Sequence, residues 1–402
     1  MKVVLIVPAY ETAGLRLEPW RYFVSLAHHL RQLGHDVSVV PQAAGSRSDD
    51  VRLVRDDEGV AIAEGGRARG LRGPALNGWA KRLGADAIIW VIGPHTLAML
   101  PWVPFDRNLV IGALAGPFPA TIAAVRTAID YGGTDVGYVT RVLAGSTSPR
   151  GLARKSARRF RRLLFCGRSI AKQAELRGIP YSSGDVLLHP LTPELRDLAS
   201  RTPPEPIDEA ATVAFAGPPR PERGVYELIV GFARIAERVP DARLDLLLRI
   251  DSNRDRFHIA RVRSALKAWQ IEEKTRIVTA FESRQMLHRR LAQAAVVALP
   301  YRYVPSAWPS TLYETLALGI PTVTTLATVC ADPELSNAVI PAGTESATSL
   351  GDAVFRLLVD ERLRRRCSEL GRQAILSLPS SREAYSAAER AVDAAANLRG
   401  SG

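Results

Sequence analysis

Cysteine is scarce in this chain, with three residues in 402, at Cys166, Cys330 and Cys367. So widely spaced, they form neither a metal-ligand pattern nor an even disulfide framework, which points to a reducing, cytoplasmic setting. The seven histidines include no HExxH pair, and no GxSxG elbow, GxGxxG fingerprint or P-loop occurs. Zinc hydrolysis, serine hydrolysis, nicotinamide-dependent redox chemistry and P-loop NTPase activity all lose support. Long apolar runs are missing too. The longest uncharged stretch, Asn108 to Val125, contains Pro117, Pro119 and two glycines, a poor spanning helix. The opening MKVVLIVPAY has one lysine and no cleavage signature, so it reads as a strand and not as a signal peptide.

One sign of charge is absent from a long window. Between Val136 and Ala174 there is no acidic residue, while Arg141, Arg150, Arg154, Lys155, Arg158, Arg159, Arg161, Arg162, Arg168 and Lys172 are all basic. That window supplies most of the net charge of +12. It lacks the interleaved aromatics of a single-strand stacking platform, so nucleic acid is disfavoured as a partner. Two readings stay open: a solvated face, or peripheral contact of 141–172 with an anionic membrane, the inner face for a cytoplasmic protein.

What is present is an ordinary globular composition, 47% hydrophobic and 23% charged, at a length natural for two domains. The first half alternates strands and helices. Val3 to Pro8 reads as a buried strand, and the helix after Pro19 places Trp20, Phe23, Val24, Ala27, Leu30 and Leu33 on one face before Gly34 ends it. Val37–Val40, AIIWVIG, LVIGAL, RLLFCG and VLLHPL follow as short apolar strands. A proline-rich, acidic stretch, ASRTPPEPIDEAA, then interrupts the pattern. Beyond it the alternation restarts with TVAFAG, GVYELIVGFARIAERV, RLDLLLRI, RIVTAF, RQMLHRRLAQA, VVALP and PTVTT. The expected division is residues 1–198, a linker at 199–211, a second domain at 212–380, and a terminal helix in 381–402 that returns to the first. Alternation of this kind predicts an α/β protein with an open parallel sheet in each half and ligands between their carboxyl ends.

Two segments carry the chemistry. FAGPPRPERGVYELI leaves a strand and opens a helix. Gly217 permits a tight exit, and Arg220 and Arg223 stand above the helix start, where backbone donors and guanidinium groups suit phosphate. PSAWPSTLYETLALGIPTV places Glu314 inside a short apolar helix that Gly319 and Pro321 end. Thr311 and Glu314 have the spacing of a capping box, a purely structural use of both residues.

Together with ALPYRYVPSAWPSTLYETLALGIPTVTT, the segment from Phe215 resembles the donor domain of GT-B glycosyltransferases of family four. Gly217, Pro221, Glu222 and Gly224 match its G-R-L-x-P-E-K-G pattern, with Pro218 and Arg223 in place of its arginine and lysine. Glu314, Leu316, Ala317, Gly319, Pro321 and Val323 match its E-x7-E-A-h-A-x-G-x-P-V-V pattern. The resemblance spans residues 212 to 375 and implies a GT-B fold, two doubly wound Rossmann-like domains facing across a cleft. It further implies transfer of a glycosyl group from a nucleotide-sugar donor, with retained anomeric configuration, no cofactor and no required metal. The acceptor class stays open among glycans, lipid-linked sugars and secondary metabolites. By this resemblance Arg223 meets the leaving diphosphate, Arg220 assists, Ser310, Thr311 and Leu312 lie near phosphate, and Glu314 accepts ribose hydroxyls. Gly217, Phe281, Glu282 and Ser306 complete the donor set, and Glu11, Thr12, Gly14 and His95, just past first-half strands, are acceptor candidates. Two departures stand out: Ser306 replaces the first glutamate, and Ala115 stands where the family often has histidine. Either the donor sugar is unusual, or the chain is a glycosyltransferase-like binding protein without catalysis.

Overall fold

The computed structural model describes residues 1–7, 20–41, 52–64, 83–93, 96–97, 109–115, 150–179, 186–201, 211–250, 253–279, 283–302, 309–331 and 333–397. Two sheets organise them. The first has eight strands in the order β3-β4-β2-β1-β5-β6-β7-β8. Its parallel body is β1 (Lys2–Val7), β2 (Asp36–Pro41), β5 (Ala87–Ile92), β6 (Val110–Leu114), β7 (Arg162–Cys166) and β8 (Val186–Leu187). A hairpin, β3 (Arg52–Arg55) and β4 (Ala61–Glu64), forms one edge, with β4 parallel to β2. Helices α1 (Trp20–Gln32), α2 (Arg150–Ala157) and α3 (Arg168–Leu176) are the described crossovers, and α4 (Pro193–Ser200) leads out.

The second sheet has six parallel strands in the order β11-β10-β9-β12-β13-β14. They are β9 (Thr212–Gly217), β10 (Arg243–Leu248), β11 (Thr275–Val278), β12 (Val296–Leu299), β13 (Thr322–Thr325) and β14 (Ile340–Ala342). The intervening helices are α5 (Val225–Arg238), α6 (Asn253–Ala268), α7 (Arg284–Leu291), α8 (Ser310–Ala317) and α9 (Leu326–Ala331); α10 (Ala347–Val359), α11 (Glu361–Leu376) and α12 (Ser381–Asn397) close the chain. The strand order reverses direction between β9 and β12, and in open parallel sheets such a switch point opens a crevice at the carboxyl ends.

Burial explains why these sequences form strands. Every residue of AIIWVI in β5 is buried, so the run shows no alternation, as a strand covered on both faces requires. In β9, Val213 and Phe215 join one apolar cluster while Ala214 and Ala216 join the other. Alternate side chains thus serve opposite faces. The cluster containing Ala214 and Ala216 continues without a break into the core of the first sheet.

The chain passes between the sheets twice. Helix α4, which follows β8, packs on α8 and α11, and α12 packs back on α1, β7 and β8. His29 of α1 meets Glu389 of α12 at 2.5 Å. Helix α6 and the β3–β4 hairpin have no counterpart in the sequence reading. RDRFHIARVRS offers no clean apolar face, and the hairpin strands are short edge elements.

Gly224 fixes the start of α5 against the end of β12. Its φ is +73°, and a Cβ there would lie 1.8 Å from the carbonyl oxygen of Pro300. Gly34 also has a positive φ, +89°, but a Cβ at that position would meet open space. Gly224→Ala is expected to cost about 2–4 kcal/mol in denaturant unfolding, overpacking added to left-handed strain, and Gly34→Ala only about 1 kcal/mol.

Candidate functional site

At the switch point the loop after β9 and the residues after β12 converge. The chain leaves β9 at Gly217 and makes a single 3₁₀ turn, Pro221–Arg223. Arg223, half-buried, has its guanidinium carbon 5.1 Å from the centre of the Tyr301 ring. Tyr301 is 1% exposed. The Arg223 charge and the Thr311 side chain, in the first turn of α8, both act on its hydroxyl. Burial raises the Tyr301 phenol above its usual range, and the Arg223 charge opposes that shift. Arg249, just past β10 and within electrostatic reach of Tyr301, adds a second positive charge; its amide donates to the Gly217 carbonyl at 3.0 Å. Half-buried guanidinium groups beside the start of a helix are suited to an anion such as diphosphate.

The predicted donor residues are therefore divided. Gly217, Arg223 and Thr311 share this corner, whereas Ser310, at the same helix start, lines the cavity beside Glu314. Leu312 is buried in the apolar core, and its amide donates to the Pro309 carbonyl at 2.8 Å. Arg220 turns away and grips Asp255 with two hydrogen bonds, Nε–Oδ1 2.6 Å and Nη2–Oδ2 3.0 Å. Asp255 is fully buried, and a buried carboxylate needs a paired cation. Glu11, Thr12, Gly14, His95, Phe281, Glu282 and Ser306 lie outside the described residues. Tyr301 and Arg249 escaped the sequence reading. The available signal was their position at the carboxyl edge, Tyr301 directly past VVALP and Arg249 at the end of RLDLLLRI.

Glu314 lies on another side of α8 and is 3% exposed. The helix begins at Ser310 with Pro309 at its N-cap and no side-chain cap. Thr311 and Glu314 consequently sit too far inside to make a capping box, and the carboxylate goes elsewhere. Arg284 of α7 donates to Oε1, and His288 Nε2 lies 3.1 Å from Oε2. Arg21 of α1 stands 3.6 Å from Oε1, and it also pairs with Glu194 of α4. Glu194 lies 3.6 Å from Arg284 as well. The result is an alternating chain of charges that joins both sheets' helices. Beside it, a cavity of about 420 Å³ is lined by Arg21, His28, His189, Glu194, Ser310 and Tyr313, among others. His189 stacks on Tyr313 with ring centres 4.2 Å apart.

No family model matches the sequence, and no curated protein matches it. Solved structures do. Sucrose-phosphate synthase from Thermosynechococcus elongatus aligns over 100% of both chains at 14% identity, with a TM-score of 0.69. An α,α-trehalose 6-phosphate synthase from Burkholderia multivorans aligns over 99% of this chain and 98% of its own at 14% identity, TM-score 0.67. A UDP-forming α,α-trehalose-phosphate synthase from Burkholderia xenovorans, in complex with glucose-6-phosphate, covers 98% and 100% at 11% identity, TM-score 0.67. The fold is GT-B: two doubly wound Rossmann-like domains across a cleft, as the resemblance implied; the strand–helix alternation had pointed to a parallel sheet in each half. Among the described residues no helix is long and apolar enough to cross a membrane, and no group of His, Cys, Asp and Glu is arranged to hold a metal ion.

The buried imidazoles give this junction a pH dependence. His189 is lowered to about 4, first by burial, and His288 to about 4 by burial and then by the Arg284 charge. Both folded-state values lie below the unfolded value of about 6.5, so the unfolded chain takes up protons first as pH falls. Stability is therefore complete above about pH 6.5 and declines towards pH 4. The unfolding midpoint should drop across that window, with a shallower slope in His189→Phe. An unchanged slope would assign the loss to carboxylates.

Proposed function

We propose that the chain is a glycosyltransferase that moves a sugar from a nucleotide-sugar donor to an acceptor with retention of anomeric configuration. The observation that carries this reading is the convergence of Arg223, Tyr301 and Thr311 at the β9/β12 switch point of a GT-B fold. In the proposed reaction the bond between the anomeric carbon and the diphosphate oxygen breaks, and charge develops on that oxygen. Arg223, Arg249 and the first turn of α8 stabilise it, a preorganised electrostatic effect that needs no further cofactor or metal. Residues 212–380 are the donor side and 1–198 the acceptor side in this proposal, with 199–211 between them and 381–402 returning to the first. Glu314 accepts ribose hydroxyls once the donor displaces Arg21, the more distant of its two guanidinium partners. The loops of the first sheet then receive a glycan, lipid-linked sugar or secondary metabolite.

A second reading, a GT-like binding protein without catalysis, is favoured by Ala115. It is buried at the end of β6, where an apolar methyl replaces the histidine of the resembling family. Turnover of any nucleotide sugar, with transfer or hydrolysis, decides between the two.

Thermal shifts with UDP, GDP, ADP and dTDP identify the base, with UDP first because three similar solved structures are described as UDP-forming. A ligand at 100 times its dissociation constant stabilises by about 2.7 kcal/mol. Arg223→Ala is expected to weaken the best diphosphate about 10- to 100-fold, the loss of one charge-assisted hydrogen bond. Unchanged affinity by calorimetry would make Arg223 part of the scaffold only.

The basic window belongs to the same proposal as a peripheral membrane contact. Arg154, Lys155, Arg158, Arg162, Arg168 and Lys172 are exposed on α2, β7, α3 and the turn between. Each cation near an anionic surface contributes about 1 kcal/mol. Co-sedimentation should be strong with phosphatidylglycerol vesicles and weak with phosphatidylcholine. Equal recovery with both removes the membrane from the proposal.

A further inference from the structure

The two cations of the anion corner stand on neighbouring loops. Arg223 ends the turn that follows β9, and Arg249 comes directly after β10. These strands are adjacent in the sheet, and the Arg249 amide donates to the Gly217 carbonyl at 3.0 Å. A second link between the same loops is made of side chains. Arg220 donates from Nε to Asp255 Oδ1 at 2.6 Å and from Nη2 to Oδ2 at 3.0 Å. Asp255 is fully buried in the first turn of α6, the end of a helix that favours a carboxylate.

Arg220 is also the residue from which the turn starts. Its carbonyl accepts the Arg223 amide at 2.9 Å, and its own amide donates to the Pro218 carbonyl at 2.8 Å. No side chain caps the turn. On the far side the Arg302 amide holds the Glu222 carbonyl at 3.0 Å. The turn is thus pinned from β12 through backbone and from α6 through the Arg220 fork. Two parallel hydrogen bonds fix the plane of a guanidinium, which a single contact does not achieve.

We propose that Arg220 and Asp255 are a positioning pair of the anion corner: their ion pair fixes the turn that carries Arg223, so its guanidinium is aimed before a diphosphate arrives. The proposal rests on the glycosyl-transfer reading above. Preorganisation of this kind raises affinity by lowering the ordering cost of binding. Charge alone gives the opposite expectation. A carboxylate near the corner opposes an anion, so its removal should tighten binding unless its hold on Arg220 matters more.

Inorganic pyrophosphate probes the corner without regard to base or sugar. Calorimetry on the full chain compares wild type, Asp255→Asn, Arg223→Ala and the double variant. Asp255→Asn keeps the shape of the side chain and one acceptor oxygen for Arg220. It is expected to weaken pyrophosphate about three- to tenfold, the ordering cost of one long side chain. In the Arg223→Ala background the same change should cost less than about twofold, because the pair acts through Arg223. Arg220→Lys keeps a cation opposite Asp255 but loses the fork; it should behave alike, and it replaces Asp255→Asn if that variant does not fold. Unchanged or tighter binding in the single variant, or a loss of equal size in both backgrounds, overturns the positioning role and leaves glycosyl transfer standing. A wild-type chain that binds neither pyrophosphate nor any nucleoside diphosphate overturns both.

Discussion

The Glu314 carboxylate is the interaction on which the arrangement around the cleft depends. It is buried almost completely, and a buried carboxylate without partners would cost several kcal/mol. Its partners come from separate elements: Arg284 and His288 from α7, Arg21 from α1. Satisfying one carboxylate therefore sets where three helices stand. Loss of one partner in such a pair typically costs about 3–5 kcal/mol, because the survivor stays buried and uncompensated. His288 takes part as a neutral imidazole, its pKa lowered by burial and by Arg284. It donates from Nε2 and adds no charge to a site already holding two guanidinium groups.

Helix α8 carries two functions on two sides. Thr311 meets Tyr301 at the anion corner, while Ser310, Tyr313 and Glu314 line the cavity at the junction between the sheets. The helix packs on α4 and α11. The charge chain and the anion corner thus share one helix.

Much of the fold was legible in sequence because its strands are covered on both faces. AIIWVI and TVAFAG announce themselves as uninterrupted apolar runs, and TVAFAG has the same limits in the structure, Thr212 to Gly217. Helix α12 likewise starts at Ser381 and has an amphipathic pattern that sequence alone reveals. The side chains of the site were harder to read because their partners are remote in sequence. Arg220 looked suited to phosphate, but Asp255 claims it from 35 positions away. Glu314 looked like half of a capping box, until Arg284, 30 positions earlier, supplied a stronger partner. Tyr301 carried no motif at all.

The double passage of the chain between the sheets has a kinematic consequence. One body joined to another by a single strand can swivel, twist and swing. Here α4 is seated on the helices of the second sheet, and α12 is seated on α1 and the last strands of the first. Two attachments define a line, as two pins define the axis of a door. Rotation about that line remains cheap, while twist about the long direction of the molecule must stretch one attachment or the other. Any opening of the cleft would thereby be reduced to a single angle, and Arg21, paired with Glu314 across the junction, stands where that angle would be read out as the breaking of an ion pair.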